Sequence, residues 1–186
     1  HPQLLVESPL FHPAATLRAE AIAAVGGYRE GDFPEDYDLW LRLVTAGWRL
    51  LTLPQEVVWI RDRRDRLTRQ DPRYRPEAFR RLRMAHLART DLATPKRVVV
   101  WGAGRGGRPW IRWLLEQGHH LPAVLDIKWG TERQGVPILS PDALGELEFD
   151  LLLVAVGLRD VKEEIRGQLA QIWPDGVEGQ DWWAVL

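Results

Sequence analysis

The sequence contains no cysteine among its 186 residues, which excludes disulfide bonds, thiolate metal ligands and cysteine nucleophiles. No apolar run approaches the ~18–20 residues that a membrane-spanning helix requires, which argues against an integral membrane protein. A formal net charge of -1 argues against a general nucleic-acid binder. The remaining class is a globular protein, which the 45% hydrophobic and 27% charged residues support.

Lysine is also scarce, because arginine supplies all but three of the 25 basic residues. Eleven arginines fall within residues 61–89, against four acidic residues. A basic run of this kind can approach nucleic acid or anionic lipid headgroups. Only Tyr74 and Phe79 interleave it, so a groove for single-stranded nucleic acid is not expected. A solvated helix face and a loop near a polyanionic ligand fit better, and proximity to a membrane surface stays open.

The sequence changes character near residue 94, at an Ala-Thr-Pro step that is typical of a short linker. Residues 1–93 and 94–186 are therefore predicted as separate domains. In the first, the patterns predict helices over residues 18–25, 35–46 and 77–89 and strands over 48–53 and 57–61. In the second, they predict strands over 97–101, 123–127, 150–156 and 182–185, and helices over 108–117, 141–147 (with Ser140 as the N-cap) and 161–170. This alternation predicts an α/β fold with a parallel sheet covered by helices on both faces.

A glycine-rich turn with the pattern G-x-G-x-x-G follows the first strand of the second domain, at Gly102, Gly104 and Gly107. Glycines permit a tight turn and a close approach of phosphate, and the helix that follows offers unpaired N–H groups. Asp126 ends the next strand, where a carboxylate can accept hydrogen bonds from ribose hydroxyls. Gly157 follows a third strand and is placed to line the same crevice. The alternative is a structural joint that binds nothing.

Several short segments of the second domain resemble known modules, at residues 98–107, 135–138, 141–144 and 152–157. They are similar to the Rossmann-like module appended to some bacterial family 2 glycosyltransferases and to the nucleotide-sugar-binding domain of bacterial sugar acyltransferases. The resemblance implies an NAD-like dinucleotide or a nucleotide-sugar at the glycine turn. Hydride transfer is a weaker hypothesis, because no catalytic histidine or Tyr-Lys pair accompanies the turn.

Three carboxylates, Glu35, Asp36 and Asp38, fall in the first turn of the helix predicted over residues 35–46. Acidic residues at a helix start compensate the helix dipole, each contributing ~0.3–1 kcal/mol. A carboxylate held at a helix start also suits a general base. The residue pattern alone leaves both interpretations open.

Short sequence motifs around these carboxylates, within about residues 8–70, resemble the carboxyl-terminal half of inverting family 2 glycosyltransferases of the GT-A fold. They are Ser-Pro-Leu-Phe-His-Pro at 8–13, Val-Gly-Gly-Tyr-Arg at 25–29, Pro-Glu-Asp-Tyr-Asp-Leu-Trp-Leu-Arg-Leu at 34–43, Leu-Pro at 53–54 and Trp-Ile-Arg at 59–61. The resemblance implies that Asp36 is the catalytic base toward the acceptor hydroxyl, with Glu35 beside it. It places His12 and Trp40 at the substrate site and Arg61 near the donor phosphates.

The donor-binding half of such enzymes, with its Asp-x-Asp metal motif, has no counterpart here. The expected fold is therefore a partial GT-A segment followed by a small Rossmann-like domain, inactive alone. The resemblance implies Mg or Mn in the complete enzyme, a nucleotide-sugar donor, and a saccharide or lipid-linked acceptor such as those of the bacterial cell envelope. It also implies a cytoplasmic location and leaves membrane association open. The rival hypothesis is a non-catalytic nucleotide-binding regulatory module.

Overall fold

The computed structural model describes residues 2–61, 63, 65–157 and 159–186. It contains two compact units, one formed by Glu7–Asp91 and the other by Leu92–Leu186 together with Leu4–Val6. The change of unit thus falls close to residue 94, where the sequence changes character. None of the helices in the described ranges combines the length and apolar character that crossing a bilayer requires.

The first unit is helical, and its described residues form no strand. The four helices are α1 (Ala19–Ala24), α2 (Glu35–Thr45), α3 (Leu67–Gln70) and α4 (Pro76–Leu87), with 3-10 turns at His12–Ala14 and Pro72–Tyr74. Three of the helices lie where the patterns predict them. Helix α2 ends as predicted at Gly47, whose N–H donates to the Val44 carbonyl while the Trp48 N–H donates to that of Leu43.

Helix α2 forms the centre of the first unit. Its residues from Tyr37 to Leu43 are all buried, so it lacks the single apolar face that the sequence suggests. Two of these buried residues, Asp38 and Arg42, are charged and form an ion pair with Nη2 and Oδ2 2.7 Å apart. A buried charge is tolerated when it is paired and its remaining hydrogen bonds are made.

Arg42 makes those remaining hydrogen bonds to the turn that follows α1. Its Nη1 donates to the carbonyl of Val25 at 2.6 Å, and its Nη2 donates to the carbonyl of Gly27 at 2.8 Å. Nε donates to Asp38 at 2.8 Å. The guanidinium therefore connects the central helix to the two-glycine turn after α1.

Replacing Arg42 with Met is expected to destabilise the first unit by about 3–5 kcal/mol, because Asp38 would remain buried without its partner. Hydrogen exchange of the α2 amides measures this unit separately from the other. Arg49→Met is the matched control, since Arg49 is exposed, and it is expected to change stability by less than about 0.5 kcal/mol. Equal protection in both variants would contradict the role given to Arg42.

The two strands predicted over residues 48–53 and 57–61 are wrong: both segments are irregular in the structure. A strand is stabilised by hydrogen bonds to a neighbour, and no described residue of this unit provides one. The apolar residues that suggested strands are exposed instead, with Leu51, Leu53 and Val57 each more than half exposed and Trp59 at 89%. Their pattern is that of strands, but the first unit alone does not cover them.

The second unit is an α/β fold around a mostly parallel six-stranded sheet, as predicted. The strands are β1 (Val98–Trp101), β2 (Val124–Leu125), β3 (Glu132–Arg133), β4 (Val136–Leu139), β5 (Leu151–Val154) and β6 (Trp182–Ala184), in the order β3-β4-β2-β1-β5-β6. Every neighbouring pair is parallel except the β3–β4 hairpin. Helix α5 (Gly107–Glu116) connects β1 to β2, and α6 (Arg159–Ile172) connects β5 to β6.

Two features of this unit differ from the prediction. Residues Pro141–Glu146 form a 3-10 helix, and the Ser140 side chain makes no capping hydrogen bond to it. The β3–β4 hairpin was not predicted: β3 has only two residues, and β4 has an exposed proline at its second position. Its turn is formed by Gln134 and Gly135, with φ of 54° and 78°, and two left-handed residues in succession are typical of a tight hairpin turn.

Both faces of the sheet are buried. Successive strand residues point to opposite faces. Val99 and Trp101 join a buried cluster on one face with Ile165 and Leu169 of α6. Val98 and Val100 point to the other face and are fully buried too, and α5 contacts β1 through its apolar side. The helices therefore leave the ends of the parallel strands as the accessible part of the sheet.

Candidate functional site

The start of α2 gathers six side chains that we call the acidic–aromatic cluster: His12, Tyr28, Glu35, Asp36, Trp40 and Tyr74. Glu35 and Asp36 belong to it because they occupy the first turn of α2, directly after Pro34. The central position of α2 fixes their backbone. Four of the six residues, His12, Glu35, Asp36 and Trp40, are ones that the resemblance assigns to the site.

Asp36 is partly buried, with 18% of its side-chain surface exposed. Burial raises the pKa of the Asp36 carboxyl above its usual range, and the neighbouring Glu35 charge raises it further. The backbone N–H of Tyr37 and the His12 ring lower it in part. Asp36 is thus an accessible carboxylate whose affinity for a proton is increased by its surroundings.

His12 lies beside Asp36, with Nδ1 3.9 Å from Oδ2 of the carboxylate. Its other nitrogen, Nε2, forms a 2.8 Å hydrogen bond with the hydroxyl of Tyr28. The ring of Trp40 packs edge-on against the imidazole at 5.9 Å. Tyr28 directly follows Gly27, whose carbonyl Arg42 holds. The position of His12 therefore depends on the Arg42 contact.

Trp40 lies beneath the cluster rather than at its surface. The side chain is fully buried, and its Nε1 has no hydrogen-bond partner among the described residues. Trp40 also lines a cavity of about 520 Å³ in the same unit, whose walls are mostly apolar and include Leu43, Trp48, Leu51 and Val58. In this structure Trp40 supports His12, and its predicted contact with a substrate stays a prediction.

Arg61 is exposed, and no hydrogen bond or ion pair joins it to the cluster within the described part of the chain. Its segment belongs to the two irregular stretches predicted as strands. The structure therefore brings His12, Trp40, Glu35 and Asp36 together but does not bring Arg61 to them. The predicted role of Arg61 near donor phosphates stays a prediction.

Tyr28 and Tyr74 are the members of the cluster that were not predicted, and Tyr74 also lies outside the residues that carry the resemblance. The Tyr74 hydroxyl donates to the Glu35 carboxylate, 3.0 Å from Oε2 and 3.2 Å from Oε1. Burial and the hydrogen bond to Glu35 raise the pKa of Tyr74 to about 12, so it remains a donor at all ordinary pH values. Tyr74 lies 39 residues from Glu35. No local pattern could have indicated this contact.

In the second unit, the glycine turn has the tight geometry that its pattern predicts. Gly102 has φ of 119°, and a Cβ there would lie 2.8 Å from the carbonyl oxygen of Ala155. A Cβ at Gly107 would overlap the carbonyl oxygen of Gly102. A Cβ at Gly104 would meet no atom within 4 Å. The fold thus explains Gly102 and Gly107, whereas Gly104 faces open space.

The turn also presents unpaired backbone donors. Among the described residues, nothing accepts a hydrogen bond from the N–H groups of Gly104, Arg105 or Gly106, which precede α5. Unpaired N–H groups at a helix start favour an anion. Arg105 and Arg108 are exposed beside them and have no ion-pair partner in the described ranges. The turn therefore carries a local excess of positive potential.

Asp126 braces the glycine turn. Its Oδ2 accepts from the Ala103 N–H at 2.7 Å, and its Oδ1 accepts from the Lys128 N–H at 3.0 Å. The carboxylate that was predicted to contact ribose thus already holds the turn from the end of β2. A carboxylate can accept about four hydrogen bonds, so acceptance from a ligand hydroxyl remains compatible with these contacts. The predicted ribose contact itself stays a prediction.

The carboxyl ends of β1 and β5 lie side by side in the second unit, because the two strands are adjacent and parallel. The chain leaves β1 to reach β2 on one side, whereas β5 begins the other half of the sheet. This reversal is the point at which open α/β sheets bind ligands. Gly102 follows β1 here, and the exposed Gly157 follows β5. The structure therefore places both glycines at the same end of adjacent strands.

The comparisons with known proteins extend over part of the second unit. Residues 94–176 are similar to the family described as C2185-like, N-terminal, which covers less than half of the chain. No curated protein matches the chain. No solved structure matches it either. Among the described residues, no group of three or more acidic or histidine side chains is placed to hold a metal ion.

The glycine turn allows a matched pair of substitutions. Gly107→Ala is expected to lower the free energy of unfolding of the second unit by at least about 1–3 kcal/mol, because the new methyl group overlaps the Gly102 carbonyl. Gly104→Ala is expected to leave it within about 1 kcal/mol, since its Cβ enters open space. Urea unfolding of both variants measures the difference. Equal destabilisation would contradict the geometry described for the turn.

Proposed function

We propose that the first unit is the acceptor-side half of an inverting glycosyltransferase domain of the family 2 type, with Asp36 as the catalytic base. The observation that carries the proposal is the environment of Asp36. It is a partly exposed carboxylate at the start of a buried helix, its pKa is raised, and His12 lies beside it. These are the properties that a carboxylate needs to take a proton from a hydroxyl near neutral pH.

The proposed reaction uses these groups in one displacement. The acceptor hydroxyl oxygen attacks the anomeric carbon of a nucleotide-sugar and forms the new C–O bond. The bond from that carbon to the diphosphate oxygen breaks, and the nucleoside diphosphate leaves with its electron pair. The hydroxyl proton passes to Asp36, and the attack from the opposite side inverts the anomeric configuration. Glu35 and His12 flank Asp36 and set its charge environment.

A donor-binding half supplied by further polypeptide is part of this proposal. Its support is the exposed apolar segment formed by Leu51, Leu53, Val57, Val58, Trp59 and Ile60. Soluble monomers rarely expose this many large apolar side chains within one short segment, and such a surface is usually covered by another element. Strand-like residues without a strand partner are expected where a sheet is completed by residues outside this unit.

The resemblance also implies Mg or Mn in the complete enzyme. The described residues contain no cluster of acidic or histidine ligands that fits such an ion. The ligands would therefore have to come from the donor-binding half. The acidic–aromatic cluster would bind the saccharide or lipid-linked acceptor. A location at the cytoplasmic side of a membrane is compatible with the arginine-rich stretch.

The test is sugar transfer by the protein expressed together with its donor-binding half, using a panel of nucleotide-sugars. Asp36→Asn is expected to lower kcat roughly 100- to 10,000-fold, because the amide cannot accept the hydroxyl proton. The isolated 186-residue chain is expected to be inactive. Asp32→Asn is the control, since Asp32 is an exposed carboxylate four residues away. Full activity of Asp36→Asn would exclude Asp36 as the base.

A second candidate function rests on the second unit, as a nucleotide-binding module. The five parallel strands, counted along the chain without the β3 hairpin strand, lie in the order 3-2-1-4-5. This is the order of the first five strands of dinucleotide-binding folds. The glycine turn, Asp126 and Gly157 then occupy the expected ligand crevice. An NAD-like dinucleotide or a nucleotide-sugar is the proposed ligand, bound with or without the transferase reaction.

Tryptophan fluorescence tests the second candidate directly. Trp129 is 63% exposed and lies three residues after Asp126, so a ligand in the crevice is expected to alter its emission. Titration with NADH, NAD and nucleotide-sugars should show saturation by one ligand class. Gly104→Asp is expected to weaken binding at least tenfold, because its charge and bulk occupy the open space at the turn.

The Gly104→Ala variant controls for folding in this titration. Because it is expected to fold normally, weaker binding by Gly104→Ala as well would indicate close approach of the ligand to the backbone. No saturation by any nucleotide would exclude these ligands and leave the turn as a structural joint.

A further inference from the structure

Tyr74 connects the arginine-rich stretch to the acidic–aromatic cluster through a contact with Glu35. Its hydroxyl lies within 3.2 Å of both oxygens of Glu35, so a single O–H group is shared between the two ends of the carboxylate. This geometry fixes the orientation of the Glu35 carboxylate plane. Glu35 is only half-buried, so without this contact its side chain could adopt other rotamers.

Tyr74 is itself held firmly by its own segment. Asp71 caps the 3-10 turn Pro72–Tyr74, accepting from the Arg73 N–H at 2.9 Å. The other oxygen of Asp71 accepts from Nη2 and Nε of Arg73, at 2.7 and 3.0 Å. Pro76 then begins α4. The backbone on both sides of Tyr74 is therefore constrained, which makes its hydroxyl a fixed donor.

Several charged or titratable groups face Asp36, each from a different part of the unit. Glu35 faces it from α2, His12 from the His12–Ala14 turn, Tyr28 from the turn after α1, and Tyr74 from the Pro72–Tyr74 turn. The Arg73 charge interacts with Glu35. Glu35 is the only carboxylate among them, and its charge raises the pKa of Asp36. The distance of Glu35 from Asp36 thus affects how strongly Asp36 holds a proton.

We propose that Tyr74 is a positioning residue for the transfer reaction, because its hydroxyl fixes the Glu35 carboxylate beside the base Asp36. The inference rests on the proposed function, in which Asp36 accepts the proton of the acceptor. Tyr74 does not touch the reacting atoms. It acts through Glu35, by keeping a negative charge next to the base.

The consequence for Asp36 has a definite sign. If Glu35 is released into solvent, its charge is better screened and the pKa of Asp36 falls toward its ordinary value. A base is active in its ionised form, so kcat/KM rises with pH through that pKa. Loss of the Tyr74 hydroxyl therefore moves the rising limb of the profile to lower pH. A purely structural contribution of Tyr74 would lower activity or stability without moving this limb.

The experiment that tests the contact uses this chain itself and needs no activity. NMR titration of the Asp36 side-chain carboxyl is recorded for the unmodified chain, Tyr74→Phe, Glu35→Gln and the double variant, with folding checked by circular dichroism. The pKa of Asp36 is expected to fall in both single variants. Tyr74→Phe is expected to have no further effect in the Glu35→Gln background, because it acts through the Glu35 charge.

Tyr28→Phe is the matched control, because it removes the other phenolic hydroxyl near Asp36 and contacts His12 instead of Glu35. Its effect on Asp36 is expected to be the same with Glu35 and with Gln at that position. An unchanged Asp36 titration in Tyr74→Phe would overturn the inference. A shift of the same size in the Glu35→Gln background would overturn it as well.

Kinetics of the complete enzyme separate this inference from the proposed function. If Asp36→Asn is inactive and the rising limb of Tyr74→Phe moves to lower pH, both are supported. If Asp36→Asn is inactive and that limb does not move, the positioning role is overturned and the base remains. If Asp36→Asn is fully active, the base and the positioning role for transfer are both overturned, whatever the titration shows.

Discussion

The geometry of the first unit depends on the buried guanidinium of Arg42. Arg42 is neutralised by Asp38 within α2, and its remaining donors hold the carbonyls of Val25 and Gly27. A buried guanidinium must make these hydrogen bonds, because an unpaired buried charge would cost several kcal/mol. The same requirement fixes the turn that carries Tyr28 against the helix that carries Asp36. The electrostatic demand of a core residue thus determines the geometry of the surface cluster.

The second unit uses a carboxylate in a comparable way. Asp126 directly follows β2 and accepts from the Ala103 N–H, so the glycine turn after β1 is held from the end of a neighbouring strand. Within the described part of the chain, nothing accepts a hydrogen bond from the N–H groups of Gly104, Arg105 and Gly106. The same turn can therefore be held by Asp126 through Ala103 and still offer its later N–H groups to a ligand. Holding the backbone in place lowers the conformational entropy that a ligand would have to remove on binding.

The sequence predictions are correct where interactions between nearby residues determine the structure, and they fail where the contacts join residues far apart in the sequence. Helix α2 and strands β1 and β5 were predicted because local apolar pattern, caps and glycines determine them. The strands expected over residues 48–53 and 57–61 were wrong because a strand requires a partner that the pattern does not contain. In the cluster, resemblance indicated Asp36 and His12. The contact of Tyr74 with Glu35 spans 39 residues and left no trace in the local sequence.

The exposed apolar segment and the acidic–aromatic cluster support one interpretation of the first unit. Trp59 is 89% exposed, whereas Asp36 is mostly covered by its neighbours. A surface evolved to remain in water would have the opposite distribution, with the carboxylate hydrated and the indole buried. The arrangement is explained if a donor-binding half covers the apolar segment and holds the nucleotide-sugar next to Asp36. Under the proposed function, the same association would stabilise the unit and complete its site.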